Sequence, residues 1–440
     1  MISTTRPRPP RLERRARSRR SAWHALARLS GLVLLLLVCM ARHGAAGGTA
    51  KPAPALARPL RVLFIGNSFT YFNNLPALVE GLAAASATDG ARPVMTRMVA
   101  PGGAGLERHW NDPSVHQALQ AGDWDYVVLQ EQSMLNARYF VNGKPRVVNP
   151  EGFFRYARLF GQEIHKTRAQ IVLYLTWARR EAPPEDQAML DHAYAEMARE
   201  LGATLAPVGL AWQAVRKERP DLDLYYEDGS HPSPAGSYLA AAVLHATLLG
   251  RNPQGLPGRI EGPAVNLDTG QVGPGRVALA DLPAEKAQVL QRAAWQAHEE
   301  LRTRGAALRF PRPPPPVGPT LPAGRRPTPA ELAGTWRGTL LLLFEPATME
   351  LRLTSHGQPA AWTAEVKVRT SGAAEALAPE VRDFEITETG ITFVDAHGPN
   401  GSRIKYQGAF REGTLSGIAE LSAPEQRFYG IGTWELKRQP

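Results

Sequence analysis

Three side chains in this sequence have the types and spacing to carry out acyl transfer together. Ser68 stands in RVLFIGNSFTYFNNLP, residues 61–76, where an apolar run breaks at Gly66-Asn67-Ser68 and passes into a polar turn and a helical pattern. A hydroxyl at the C-terminal end of a parallel strand sits where the sheet opens. The helix that follows offers unpaired N–H groups and the positive end of its dipole to a developing oxyanion. Taken alone, an Asn-Ser pair is also an ordinary turn and helix N-cap. Asp228 and His231 supply what the serine lacks. They lie in YEDGSHPSPAGSYLAAAVL, residues 226–244, just before an apolar helical pattern. A serine hydroxyl needs a base within hydrogen-bond reach, and the base needs an acceptor on its other nitrogen. One short loop, stiffened by Pro232 and Pro234, supplies both.

The elements that must position these residues form a regular series. Between Leu60 and about Gly250 the strand-like runs RVLFIG, PVMTRMVA, DYVVLQ, QIVLYLTW and ATLAPVG alternate with helical patterns. This alternation predicts a parallel sheet covered by helices on both faces. A helix over Pro283–Arg302 is expected to pack back on it. Phe310–Pro329, FPRPPPPVGPTLPAGRRPTP, is too rich in proline for helix or sheet interior and reads as a stiff, extended spacer. Beyond Glu331, short alternating segments divided by glycine turns predict an antiparallel barrel or sandwich. GTW occurs at Gly334-Thr335-Trp336 and again at Gly432-Thr433-Trp434, as expected if the first and last of these strands meet. The domain reading is therefore a signal segment over 1–46, a short linker over 47–59, an α/β domain over 60–303, a proline-rich linker over 304–330 and an accessory β-domain over 331–440.

At 440 residues with 43% hydrophobic content, the chain can bury more than one core. Its formal charge of +10 is no sign of a nucleic-acid partner, because arginines crowd the stretch from Arg6 to Arg28. That stretch runs into Leu26–Met40, with LVLLLLVCM at its centre, and the small residues Gly44-Ala45-Ala46 follow. The pattern is that of an export signal, too short for a comfortable membrane span. A secreted or periplasmic protein with no stable membrane insertion after cleavage is expected; the alternative is an uncleaved N-terminal anchor. Cys39 is the only cysteine and lies inside the apolar run. The cleaved protein therefore has no thiol for catalysis, zinc or an intramolecular disulfide. The histidines show no ligand spacing such as HExxH, and neither metal nor cofactor is expected.

Together, Gly66-Asn67-Ser68 and Asp228-Gly229-Ser230-His231 resemble the first and last blocks, usually GDS and DxxH, of the SGNH or GDSL-type esterase superfamily. The set GNSFT, GGxxLxxHW, LQEQS and DGxHPSxxGSYLAA is most similar to a bacterial branch of it, over Leu60–Gly250. The resemblance implies a flavodoxin-like three-layer α/β/α hydrolase in which Ser68 is the nucleophile, His231 the general base and Asp228 its orienter. Asn67 replaces the usual aspartate and leaves the nucleophile untouched. A glycine of the second block, Gly103 with Gly102 as the alternative, would give its N–H to the oxyanion hole alongside that of Ser68. The third block usually reads GxND, but the corresponding strand ends in DYVVLQEQSMLN, residues 125–136. Gln132, or else Gln130, would donate a side-chain amide instead, as in some carbohydrate-esterase relatives. Asn67, Gln130, Glu131, His109 and Trp110 are expected near the site and Trp177 near its rim, the set from which substrate contacts would come. The C-terminal part resembles small lipocalin-like β-domains appended to some hydrolases. The resemblance thus implies an exported esterase for short acyl groups, acetyl above all, on an acetylated glycan. The alternatives are a non-catalytic glycan-binding scaffold and an O-acyltransferase using the same serine.

Overall fold

Period-two alternation in one strand builds both halves of the N-terminal core. In β1 (Leu60–Ile65), Val62 and Phe64 enter one buried cluster while Leu63 and Ile65 enter another. The computed structural model describes residues 58–440 apart from 90, 306–308, 358–360, 374–375, 398–401 and 424–427. The expected signal segment and Cys39 lie outside the described residues. No helix among the described residues is long and apolar enough to cross a membrane.

Along the chain come β2 (Val94–Val99), β3 (Tyr126–Leu129), the short pair β4 (Arg138–Val141) and β5 (Lys144–Arg146), then β6 (Gln170–Tyr174) and β7 (Thr204–Ala206). Five of them form a sheet in the order β2-β1-β3-β6-β7, parallel throughout. The chain leaves β1 for one neighbour and returns to the other, so the strand order reverses at β1. Such a switch point opens a crevice beyond the carboxyl ends of the strands. Helices 75–85, 208–218, 234–249 and 284–304 cover one face through Leu78, Trp212, Val243 and Leu290. Helices 106–110, 113–121, 151–164 and 184–201 cover the other through Leu106, Val115, Phe160 and Met197. The result is the expected three-layer α/β/α arrangement. Pro234–Leu249 is buried at nearly every position, which suits a helix enclosed by neighbours on all sides.

Two pairings were not expected from the sequence. One is a hairpin of β8 (Arg259–Val265) and β9 (Val272–Asp281), against which the Tyr71 hydroxyl donates to Leu267 O at 2.9 Å. The other belongs to the C-terminal sheet, made of β10 (Gly334–Leu341), β11 (Ala347–His356), β12 (Ala361–Arg369), β13 (Glu380–Ile386), β14 (Gly390–His397), β15 (Ser402–Arg411), β16 (Thr414–Ala423) and β17 (Phe428–Arg438). These run antiparallel in the order β12-β11-β10-β17-β16-β15-β14-β13, and β10 meets β17 with Leu340 opposite Trp434. Among the described residues the bridge Val368↔Leu377 links β12 to the segment just before β13, which leaves a nearly closed, barrel-like sheet. Trp336, Leu351, Phe393, Tyr406 and Trp434 fill it. To this sheet the α/β part contributes β4, which pairs in parallel with β17 from Phe428↔Arg138 to Ile431↔Val141. Both sheets belong to one compact unit, Leu56–Pro440.

The proline-rich segment is extended, as its φ constraint demands, but it lies along its neighbours and does not stand free as a spacer. His192 Nδ1 donates to Phe310 O at 2.8 Å, Arg325 N donates to Phe410 O at 3.1 Å, and the Arg325 guanidinium lies 4.8 Å from the Phe410 ring centre.

Candidate active site

The turn after β1 is held by contacts that only its particular residues can make. A Cβ on Gly66 would come within 2.3 Å of Thr70 Oγ1 and 2.6 Å of Gln130 Oε1, so the chain passes there only as glycine. Asn67 caps the short helix Ser68–Tyr71 by accepting from Phe69 N at 3.1 Å. Its Nδ2 donates to Ala104 O at 2.8 Å. An aspartate would lack that donor, which gives the asparagine a physical reason.

Ser68 Oγ lies 2.8 Å from His231 Nε2, and His231 Nδ1 bonds Asp228 Oδ2. The other Asp228 oxygen accepts from the amides of Ser230 and His231, each at 2.9 Å. A carboxylate only accepts, so the proton sits on Nδ1 and Nε2 receives the serine O–H. Partial burial pushes the Asp228 pKa up, but the His231 side chain and the two amides outweigh it and leave it below the ordinary value. Asp228 thus stays ionised opposite the imidazole. Phe72 stacks on the imidazole at 4.2 Å between ring centres, and Phe69 meets it edge-on at 5.6 Å. The loop is closed by Gly229 at φ 66°, by Tyr226 N donating to His231 O at 2.7 Å, and by Trp177 Nε1 donating to Ser230 O at 3.0 Å.

Ser68 and His231 open onto a cleft of about 320 Å³, whose walls also include Gly102, Gly103, Gln132 and Asn67. Gly103 adopts φ 66°, a left-handed conformation that favours glycine. Neither glycine amide donates to a backbone carbonyl among the described residues. Gln132 Oε1 accepts from Met134 N at 2.7 Å and its Nε2 donates to Ser133 Oγ at 3.3 Å, Gln132 and Ser133 both lining the cleft.

Four residues expected at the site support it from behind and do not line it. Gln130 is buried, and its Oε1 accepts from Asn67 N at 2.9 Å and Thr70 Oγ1 at 3.0 Å while its amide donates to Glu131 O. Glu131 is fully buried. Its carboxylate accepts from Leu106 N at 3.2 Å and Gln132 N at 2.6 Å, tying the second block to the third. His109 Nε2 donates to Gly66 O at 2.7 Å; burial lowers its pKa, and the neutral ring makes that bond. Trp177 is fully buried between Phe69 at 4.7 Å and Trp212 at 3.8 Å, beneath the histidine loop and not at the rim. Trp110 packs edge-on against Phe160 at 5.3 Å. Sequence reasoning missed Tyr71, Ser133 and Arg179, which all line the cleft. Arg179 follows Trp177 by two residues, and its position just past a strand end was the available signal. Among the described residues, no group of three or more His, Cys, Asp or Glu side chains could hold a metal ion.

No family model matches the chain, and no curated protein matches it in sequence. Similar solved structures include a DUF4886 family protein from Bacteroides uniformis, 19% identical with a TM-score of 0.39, covering 54% of this chain and 94% of that one. They also include the acetyl xylan esterase AlAXEase, 14% identical, TM-score 0.35, covering 42% and 97%. An acetylxylan esterase from Geobacillus stearothermophilus is 16% identical, TM-score 0.33, covering 44% and 97%. Likeness this remote says nothing of this chain's substrate.

Proposed function

We propose that this chain is an exported serine esterase of the SGNH type that removes short acyl groups, acetyl above all, from carbohydrate. The observation that carries the reading is the Ser68–His231–Asp228 relay, with Ser68 Oγ 2.8 Å from Nε2, opening onto a cleft at the switch point of the sheet. His231 takes the Ser68 proton as Oγ attacks the acyl carbon. The tetrahedral oxyanion is held by the Ser68 and Gly103 amides and by Gln132 Nε2. His231 then protonates the departing alkoxide, and water, deprotonated by the same imidazole, releases the acid from the serine. A cleft of only about 320 Å³ supports a short acyl group and disfavours a long lipid chain. Export rests on the arginine-rich stretch and apolar run within residues 1–46.

The test is a chain-length series of p-nitrophenyl esters with the wild type and Ser68→Ala. Acetate is expected to turn over fastest, with loss of at least a thousandfold in the variant, an order of magnitude typical of triad deletions. A wild type no faster than Ser68→Ala on every ester refutes the esterase reading. A preference for long chains refutes the short-acyl part alone.

A further inference from the structure

The cleft holds a cation that the acyl-transfer chemistry does not use. Arg179 lines it beside Ser230 and His231, and its Nε is buried with no hydrogen-bond partner. The backbone on either side is fixed. Ala178 N donates to Gln187 Oε1, the Tyr225 hydroxyl donates to Ala178 O and Arg180 N donates to Gly229 O, each at 2.8 Å. The base of the side chain is therefore anchored before any ligand enters.

Two carboxylates act on Arg179 electrostatically, Asp228 and Asp186, and both are engaged elsewhere. Asp228 gives one oxygen to His231 Nδ1 and the other to two backbone amides. Asp186 accepts from Arg146 Nε at 2.8 Å and from Val147 N at 3.0 Å. The next residue provides a contrast, since Arg180 is exposed and bonds both oxygens of Asp223 at 3.0 Å. Arg179 is half-buried, withdrawing its Nε–H from water without a partner is unfavourable, and the planar fork of guanidinium donors matches a carboxylate. The cost is offset once an anion enters the cleft.

The anchoring also says which part of the substrate bears the charge. Trp177 Nε1 bonds Ser230 O and Arg180 N bonds Gly229 O, which fastens the Arg179 segment to the loop carrying His231. The leaving alkoxide takes its proton from that imidazole and so departs on its side. From this placement, and resting on the serine-esterase reading above, we infer that Arg179 forms an anion subsite for a carboxylate on the alcohol portion of the substrate. The preferred substrates are then short acyl esters of acidic, uronic-acid-type sugars over neutral ones.

Acetyl esters of 3- and 4-hydroxybenzoate, each beside its methyl benzoate counterpart, differ in that charge and vary its distance from the ester. The readout is the kcat/KM ratio of charged to neutral ester, compared between wild type and Arg179→Gln so that intrinsic reactivity cancels. The ratio is expected to fall at least tenfold in Arg179→Gln, equivalent to about 1.4 kcal/mol, and to recover in part in Arg179→Lys. An unchanged ratio overturns the subsite, because a merely structural arginine would affect both esters alike. Calorimetric binding of the charged esters to Ser68→Ala, with and without Arg179→Gln, reads the subsite independently of turnover. Arg179-dependent binding with no turnover by the wild type refutes the esterase reading and leaves the subsite standing; binding indifferent to Arg179 overturns the subsite.

Discussion

Gln130 and Gln132 stand two apart and have the same side chain, yet replacing them should damage different things. In Gln130→Leu the volume is nearly kept, but Oε1 is lost, and with it the acceptor for Asn67 N at 2.9 Å and Thr70 Oγ1 at 3.0 Å. Both donors are buried. Leaving a buried donor unsatisfied costs about 1–3 kcal/mol, so the two together destabilise by about 2–6 kcal/mol. At roughly 2–4 °C per kcal/mol for a domain of this size, the melting temperature should fall by about 5 °C or more. Gln132→Leu removes instead a half-buried amide whose Nε2 faces Ser133. It also removes Oε1, the acceptor for Met134 N at 2.7 Å, so by the same reasoning it should destabilise by about 1–3 kcal/mol, half the Gln130→Leu figure, while kcat falls by roughly 100- to 1000-fold if it is an oxyanion donor. Differential scanning calorimetry and p-nitrophenyl acetate kinetics on both variants make the comparison. A Gln130→Leu protein that melts like wild type would refute the reasoning about the buried turn, and a Gln132→Leu protein with full kcat would remove that residue from the oxyanion hole.

Two further outcomes follow from other sites. Asp228→Asn should leave the fold intact but place an amide donor against His231 Nδ1, favouring the wrong tautomer, so kcat should drop by about 10⁴; near-normal turnover at neutral pH would remove Asp228 from the relay. Asp191 is buried, accepts from Gln187 Nε2 at 2.8 Å, and burial lifts its pKa to about 7. Because the folded state then favours the neutral carboxyl, Asp191 is neutral in sign below the ordinary carboxylate range and increasingly destabilising as pH rises to about 7. Asp191→Asn, which keeps the acceptor for Gln187, should therefore stabilise at pH 8 by up to about 4 kcal/mol and not at pH 4. An equal shift of the melting temperature at both pH values would contradict that assignment.

The parallel strands were legible because each is a short apolar run bounded by turn residues, and the barrel strands because they alternate between glycine turns. The β8–β9 hairpin was not. Gly262, Pro263, Gly273, Pro274 and Gly275 interrupt its alternation, and its ladder slips register twice, between Ile260 and Glu261 and between Pro263 and Val265. The β4–β5 hairpin did carry a signal that went unused: Asn142-Gly143, with φ of 47° and 76°, is the pair that a tight hairpin turn favours. Ser68, Asp228 and His231 could be read because a relay needs those residue types. Gln130, Glu131 and Gln132 could not be sorted, because the strand ends at Leu129 and its alternation no longer says which side chain faces the cleft. Arg179 offered only its place past a strand end, because a buried Nε without a hydrogen-bond partner is defined by what surrounds it in space.

The same hairpin changes what the C-terminal sheet can be said to do. A two-stranded hairpin alone in water is marginal, and within its own part of the chain β4 pairs only with β5. Its other edge is completed by β17, and Phe140 at its centre is fully buried against Phe344 at 4.6 Å and Phe428 at 5.4 Å. That hairpin begins just past Gln132 and Ser133, the two third-block residues that line the cleft. Glu131 secures the start of this loop through Leu106, and the barrel secures its end. The loop that carries Gln132 and Ser133 is thus fastened at both ends by buried contacts, one of them contributed by the C-terminal sheet. A cleft wall built this way is held in place before substrate arrives, the condition under which donors aimed at a developing charge act without reorganising. The barrel is in this sense part of the architecture of the site, even though none of its described residues lines the cleft.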